Sequence, residues 1–177
     1  MPSKRLETVR DIFVFQCLIG CRVGDLLKLK RQNIVRGAIE YIPHKTKDGR
    51  PETVRVPLND TAKEIIAKYE DADRESLLPF ISAQKYNDYI KECFKVAGLD
   101  RYVTVLNPLT RESEQRPLYE VASSHMARRT FVGNLYKQVK DPNLVGSLSG
   151  HKEGSRAFTR YRDIDEDMKR DLVKLLD

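Results

Sequence analysis

The stretch from Ser123 to Tyr161 reads SSHMARRTFVGNLYKQVKDPNLVGSLSGHKEGSRAFTRY, and it holds two of the chain's three histidines, several arginines and a late tyrosine. Ser123 or Ser124 can cap a helix carrying Phe131, Val132 and Leu135 at helical spacing. His125 and Arg128, three apart, fall in its first turn on one face, where a helix N-terminus favours an anion. Asp141 and Pro142 form a cap and first-position pair for a shorter helix, with Leu144, Val145 and Leu148 inward and Gly150 as its stop. His151 follows that stop, and Tyr161 comes ten residues later in a basic segment. Two imidazoles, a guanidinium and a phenol suit attack on a phosphodiester by a tyrosine oxygen, with arginine neutralising the non-bridging oxygens.

Working outward, the amino-terminal side reads as the scaffold for this stretch. Leu6, Val9, Ile12, Phe13, Leu18 and Ile19 lie close to helical spacing and Gly20 is a natural stop, so a buried first helix is expected. Leu26, Leu27 and Leu29 then point to a short second helix. Arg22 stands in the junction between them, flanked by apolar residues, with Asp25 three positions on to hold it. That is how a guanidinium is fixed to receive an oxyanion.

From residue 34 to 58 the period changes. Ile34, Ala38, Ile39, Tyr41 and Ile42 on one side, and Val54, Val56 and Leu58 on the other, flank KTKDGRPE, which reads as a β-hairpin turning at Asp48-Gly49. Lys45, Lys47 and Arg50 at its tip are either the solvated charges of a hairpin end or a lysine that reaches DNA or donates a proton. Asn59 or Asp60 can cap a helix through about Glu70, buried through Ala62, Ile65, Ile66 and Tyr69. Asp71 to Ser76 reads as an acidic loop. Ser82 caps a helix with Tyr86, Tyr89, Ile90, Phe94 and Ala97 as core positions, ending at Gly98. A second hairpin is expected over Tyr102 to Val121. A last helix, Asp165 to Leu176, carries an apolar stripe of Met168, Leu172, Val173, Leu175 and Leu176, able to pack on its own domain or on a neighbour. The expected fold is mainly α with small antiparallel β-hairpins, an α+β domain.

Composition agrees with one domain able to bury a real core: 177 residues, 40% of them hydrophobic. Lys and Arg number 32 against 26 Asp and Glu, a net charge of +6 that favours an anionic partner. Cys17, Cys21 and Cys93 form no paired set and no recognisable metal-ligand spacing. Reduced thiols of a cytosolic protein are expected. There is no apolar run long enough to span a membrane and no signal-peptide core, so a soluble, intracellular protein is expected.

Five elements in order now carry a family resemblance: Arg22 in GCRVGDLLKL, the HKTKDGRPETVRVPL hairpin, His125 to Arg128 as HMAR, LSGH ending at His151, and Tyr161 in AFTRYRDID. Together they resemble the catalytic domain of the tyrosine recombinases, in the form found in integrases of mobile elements such as conjugative transposons and phages. The resemblance implies an enzyme without metal or cofactor that breaks and rejoins DNA through a 3′-phosphotyrosyl link. Its implied partners are double-stranded DNA attachment sites and further copies of itself, in a tetrameric synaptic complex, within a bacterial cytoplasm at the nucleoid. In these terms Tyr161 is the nucleophile, and Arg22 and Arg128 clamp the non-bridging oxygens. His125 takes the proton, His151 donates a hydrogen bond to the phosphate, and Asp25 supports Arg22. Lys45, or alternatively Lys47, protonates the leaving 5′ oxygen. Residues 1 to 177 would then be a single catalytic domain, a fragment without the amino-terminal helical domain that closes such enzymes around DNA.

Three rivals differ in observable ways. A DNA-binding module without catalysis explains the charge but not the ordered series of Arg, Lys, His, Arg, His and Tyr. A type IB topoisomerase shares the chemistry and would relax plasmid without defined sites. A metal enzyme lacks any ligand pattern.

Overall fold

The computed structural model describes residues 3–44, 52–139, 141–150, 170 and 173–176. Helix α1 (Lys4–Ile19) is the spine of the core. Ser3 Oγ accepts the N–H of Leu6 at its start, and Gly20 closes it in the left-handed region at φ 70° with its N–H on the Gln16 carbonyl. Leu6, Val9, Ile12, Phe15 and Ile19 are buried. Around them pack α3 (Asp60–Lys68), α4 (Ala83–Val96) and α6 (Ser124–Val139). Phe13 meets Phe94 of α4 edge to face, with centroids 5.4 Å apart. A polar tie also joins α1 to α3. Buried Asp11 accepts from Arg10, from Lys68 Nζ at 2.7 Å and from the Tyr69 hydroxyl at 2.8 Å.

After Gly20 the chain makes one helical turn, α2 (Val23–Leu26), and a 3-10 turn at Arg31–Asn33. A three-stranded antiparallel sheet follows, in the order β1 (Ile34–Val35), β2 (Ala38–Tyr41), β3 (Val54–Pro57). The expected strand through residues 34 to 42 is in fact a small hairpin. Ile34 pairs with Ile39 and Val35 with Ala38, while Arg36 and Gly37 at φ 47° and 73° make the two-residue turn between them. Positive φ at both central residues matches the right-handed twist of the strands. Residues 45–51, which hold the expected Asp48-Gly49 turn, lie outside the described residues.

Helix caps settle several boundaries. Asn59 Oδ1 accepts the N–H of Ala62, so Asn59 and not Asp60 caps α3. Ser82 caps α4 as expected. The second hairpin is β4 (Tyr102–Leu106) against β5 (Ser113–Pro117), with Tyr102 opposite Pro117. It does not run to Val121, because Pro117 has no N–H to continue the ladder and the next residues form a helical turn, α5 (Leu118–Val121). Helix α7 (Pro142–Ser149) is capped by Asp141 and stopped by Gly150 at φ 68°. Val145 is buried and Leu148 half-buried, but Leu144, expected inward, is exposed. Of the expected last helix, the described residues end in a 3-10 turn at Lys174–Leu176. Val173, Leu175 and Leu176 are exposed there, so these three do not pack on the rest of the domain. Met168 and Leu172 lie outside the described residues.

Candidate active site

The carboxyl end of α1, the start of α2 and the first turns of α6 meet in one region. Helix α6 buries Ser124, Ala127, Arg128, Phe131 and Val132, a continuous stripe at three- and four-residue spacing. An arginine stands in the middle of that stripe at 1% exposure. Its guanidinium is held by backbone: Nη1 donates to the Gly20 carbonyl at 2.6 Å and Nη2 to the Ser149 carbonyl at 2.7 Å. Arg128 thus joins the end of α1, two residues before Arg22, to the end of α7, two residues before His151.

Arg22 is half-buried and serves as the N-cap residue of α2 in extended backbone conformation. The carbonyl of Cys21, part of the peptide leading into Arg22, accepts from Gln16 Nε2 at 3.1 Å, and Gln16 Oε1 in turn accepts from the Tyr86 hydroxyl at 3.0 Å. Gln16 and Tyr86 are wholly buried. Gly20 admits the close approach that this assembly needs. A Cβ there would lie 2.2 Å from the Phe131 ring of α6.

His125 is exposed on α6 while Arg128, three residues on, turns inward, so the two do not present a single common face. They are nonetheless electrostatic neighbours. Partial burial first, then the charges of Arg128, Arg129 and Arg22, hold the His125 imidazole below its ordinary value and favour its neutral form. This convergence links Arg22, His125 and Arg128, which arrive from α2 and α6. Asp25 behaves differently from expectation. Its Oδ1 accepts the backbone N–H of His44 at 2.9 Å, beyond the end of β2, and among the described residues no ion pair joins it to Arg22. Three residues past the cap position, its buried carboxylate is directed at the chain leaving β2 instead.

Lys45, Lys47, His151 and Tyr161 lie outside the described residues. In sequence His44 immediately precedes Lys45 and Gly150 immediately precedes His151, and a Cβ on Gly150 would meet Val54 of β3 at 2.8 Å. No group of His, Cys, Asp or Glu among the described residues could hold a metal ion. No helix among them is long and apolar enough to cross a membrane. Burial pushes the Cys17 and Cys21 thiols up to about 12, so neither is a nucleophile at neutral pH.

A helical core around α1, a small antiparallel sheet beside it and this meeting of α2 with α6 make up the catalytic-domain fold of the tyrosine recombinases. The chain belongs to the phage integrase family, whose model matches residues 5–168. It is similar to the Prophage ps2 probable integrase of Lactococcus lactis subsp. lactis (strain IL1403), with 24% identity over 189 residues, covering 98% of this chain and 49% of that protein. Its fold is similar to that of lambda integrase in a dimer bound to a COC′ core site, at a TM-score of 0.64 and 21% identity over 88% of this chain and 42% of the other. It is similar too to XerH site-specific recombinase in a post-cleavage complex with a palindromic difH substrate, at a TM-score of 0.64 and 15% identity over 99% and 48%. The Tn1549 transposon integrase (aa 82-397), in complex with circular intermediate DNA, matches at a TM-score of 0.63 and 15% identity over 97% and 59%. The chain thus spans about half the length of the curated relative that it matches.

Proposed function

We propose that residues 1 to 177 form the catalytic domain of a site-specific DNA recombinase that cleaves and rejoins DNA through a covalent 3′-phosphotyrosyl intermediate. The observation that carries this reading is the convergence of Arg22, His125 and Arg128, cationic or proton-accepting groups placed by separate segments around one spot. The Tyr161 oxygen attacks the scissile phosphorus and gives its proton to His125, which is neutral at pH 7 and able to accept it. Arg22, half-buried and open on one side, takes the non-bridging oxygens, and Arg128 completes the clamp once DNA parts the shell that covers it. His151 donates to the phosphate. The bond to the 5′ oxygen breaks, and that oxygen leaves with a proton from Lys45 or Lys47. In rejoining, a 5′ hydroxyl attacks the phosphotyrosine and restores the phenol, so the phosphodiester energy is conserved and no cofactor is consumed.

The partners in this reading are double-stranded attachment sites and three further copies of the protein in a synaptic tetramer, acting in the cytoplasm at the nucleoid. The related proteins seen on core sites and difH DNA support it. The decisive experiment incubates the chain with attachment-site DNA and looks for protein joined to the 3′ side of the nick. Tyr161→Phe should keep DNA affinity and abolish the adduct. Wild-type adduct in that variant would sink the assignment, and adduct at any sequence with plasmid relaxation would move the protein to the type IB topoisomerases.

A further inference from the structure

Two adjacent residues of α4 reach both halves of the candidate site from behind. Tyr86 donates to Gln16 Oε1 at 3.0 Å and Gln16 Nε2 donates on to the Cys21 carbonyl at 3.1 Å. That carbonyl belongs to the peptide joining Cys21 to Arg22, so the relay sets the plane from which Arg22 departs. The preceding peptide is held as well, because the Gly20 carbonyl accepts from Arg128. Asn87, next along α4, presents Oδ1 to the backbone N–H of Ser124 at 2.8 Å. Its own Nδ2 donates to the Ala83 carbonyl one turn back at 2.9 Å, which fixes the amide with its oxygen toward α6. Ser124 opens α6 immediately before His125, and its N–H has no acceptor within that helix. The cap therefore comes from a residue 37 positions away on another helix.

We infer that Tyr86, Gln16 and Asn87 are positioning residues for strand cleavage: α4 acts as a jig that holds the Arg22 peptide and the His125 turn at a fixed separation. Polar side chains in a core must find partners in any fold. What sets these apart is where their bonds end, on backbone atoms directly beside two separate site residues. Arg128 of α6 already ties the Gly20 peptide, and α4 adds a bond to the next peptide and another to the first N–H of α6, so both are referred to one rigid element. A misplacement of about 1 Å in such a constellation can reduce a rate by about 100-fold.

The catalytic consequence rests on the proposed function, whereas the effect on the site does not, and the test separates them. Full-length Tyr86→Phe removes only a hydroxyl, Asn87→Leu removes the acceptor, and Asn87→Asp keeps an oxygen facing the Ser124 N–H. Single-turnover adduct formation at saturating DNA should fall about 10- to 100-fold in Tyr86→Phe and Asn87→Leu, with DNA affinity held within about 2-fold. Asn87→Asp should recover most of the rate. By NMR, the His125 resonance, assigned by its loss in His125→Gln, should titrate closer to the ordinary 6.5 in Asn87→Leu, as its turn frays, loses burial and moves from Arg22. Were the wild type to form no adduct, the proposed function would fail, while the NMR shift would still decide the positioning. Wild-type rates in both variants with an unmoved His125 titration would overturn the inference. So would loss of rate and affinity together with no recovery in Asn87→Asp.

Discussion

Arg128 Nη1 lies 2.6 Å from the carbonyl oxygen of Gly20, a residue 108 positions earlier in the chain. The contact explains why a charge occupies the buried stripe of α6. Burying a guanidinium is expensive unless its N–H groups find acceptors, and the carbonyls at two helix ends each take a hydrogen bond from one terminal nitrogen while fixing those ends relative to each other. Lysine could not reproduce the arrangement, since a single ammonium on a flexible stem lacks the planar fork that reaches both Gly20 and Ser149.

Gly20 should tolerate no side chain. At φ 70° a Cβ costs about 1–2 kcal/mol in backbone energy. The overlap with Phe131 adds about 1–3 kcal/mol. Gly20→Ala is expected to lower stability by about 2–5 kcal/mol in urea unfolding. Gly133, in α6 with nothing near its missing Cβ, is the control: Gly133→Ala should stabilise by about 0.5–1 kcal/mol. Equal effects at the two positions would refute the close α1 to α6 contact.

The titration of His125 has a definite sign. Its folded value lies below the ordinary 6.5. Between the two the unfolded chain binds a proton that the folded chain refuses, so stability rises with pH across this window and is lost as pH falls through it. Replacing the imidazole removes that dependence. His125→Gln should therefore gain stability relative to wild type at about pH 5 and not at about pH 8, measured by denaturant unfolding. The adduct-forming rate of the wild type should stay flat above neutrality and fall on the acid side.

Asp11 gives the opposite slope. Burial works to raise its pKa, but hydrogen bonds from Lys68, Arg10 and Tyr69 outweigh that and hold it below the ordinary carboxylate value. Its contribution is present above the unfolded value and is lost as pH falls through the folded one. Because Lys68 and Arg10 are themselves well exposed, the loss in Asp11→Ala should be modest, about 1–2 kcal/mol at pH 7. The gap to wild type should close in acid, and a gap unchanged at about pH 2.5 would show that the residue acts by packing alone.

The lysine of the hairpin can be identified by changing the leaving group. An alkoxide departs poorly without a proton, and a thiolate departs without one. Lys45→Ala should lose about two to four orders of magnitude on ordinary DNA, as expected for a general acid. Most of the rate should return on a 5′-bridging phosphorothioate. Lys47→Ala, run in parallel, decides between the neighbours, and a uniform defect in both with no sulfur rescue would mean that these lysines only bind DNA.

Much of this fold is written in local signals. Gly20, Asn59, Ser82, Asp141 and Gly150 mark helix ends where they stand, because capping depends on residues within one turn. The spacing of His125 and Arg128 placed both on α6. Other features escaped such reading for physical reasons. Arg36-Gly37 turns a hairpin without the usual Asn-Gly or Asp-Gly pair, since arginine rarely takes positive φ. Arg128 is of a residue type mostly found at surfaces, and its burial depends on carbonyls 108 and 21 positions away. Tyr86 reads as core and is core, yet its hydroxyl partner on Gln16 lies 70 positions off. Asp25 and Arg22 are neighbours in sequence, but the carboxylate answers to His44 across the fold.

The distance along the chain between Gly20 and Arg128 also sets when the candidate site can be assembled. Synthesis proceeds at about 5–20 residues per second, so about 5–20 s separate the appearance of the two residues at the ribosome. Throughout that interval α1 has no α6 to close against and the Gly20 carbonyl has no Arg128 to hold it. A nascent chain, or one truncated ahead of Arg128, carries Arg22 without the second arginine of the candidate site. Arg22 and Arg128 thus come together only after α6 has been made.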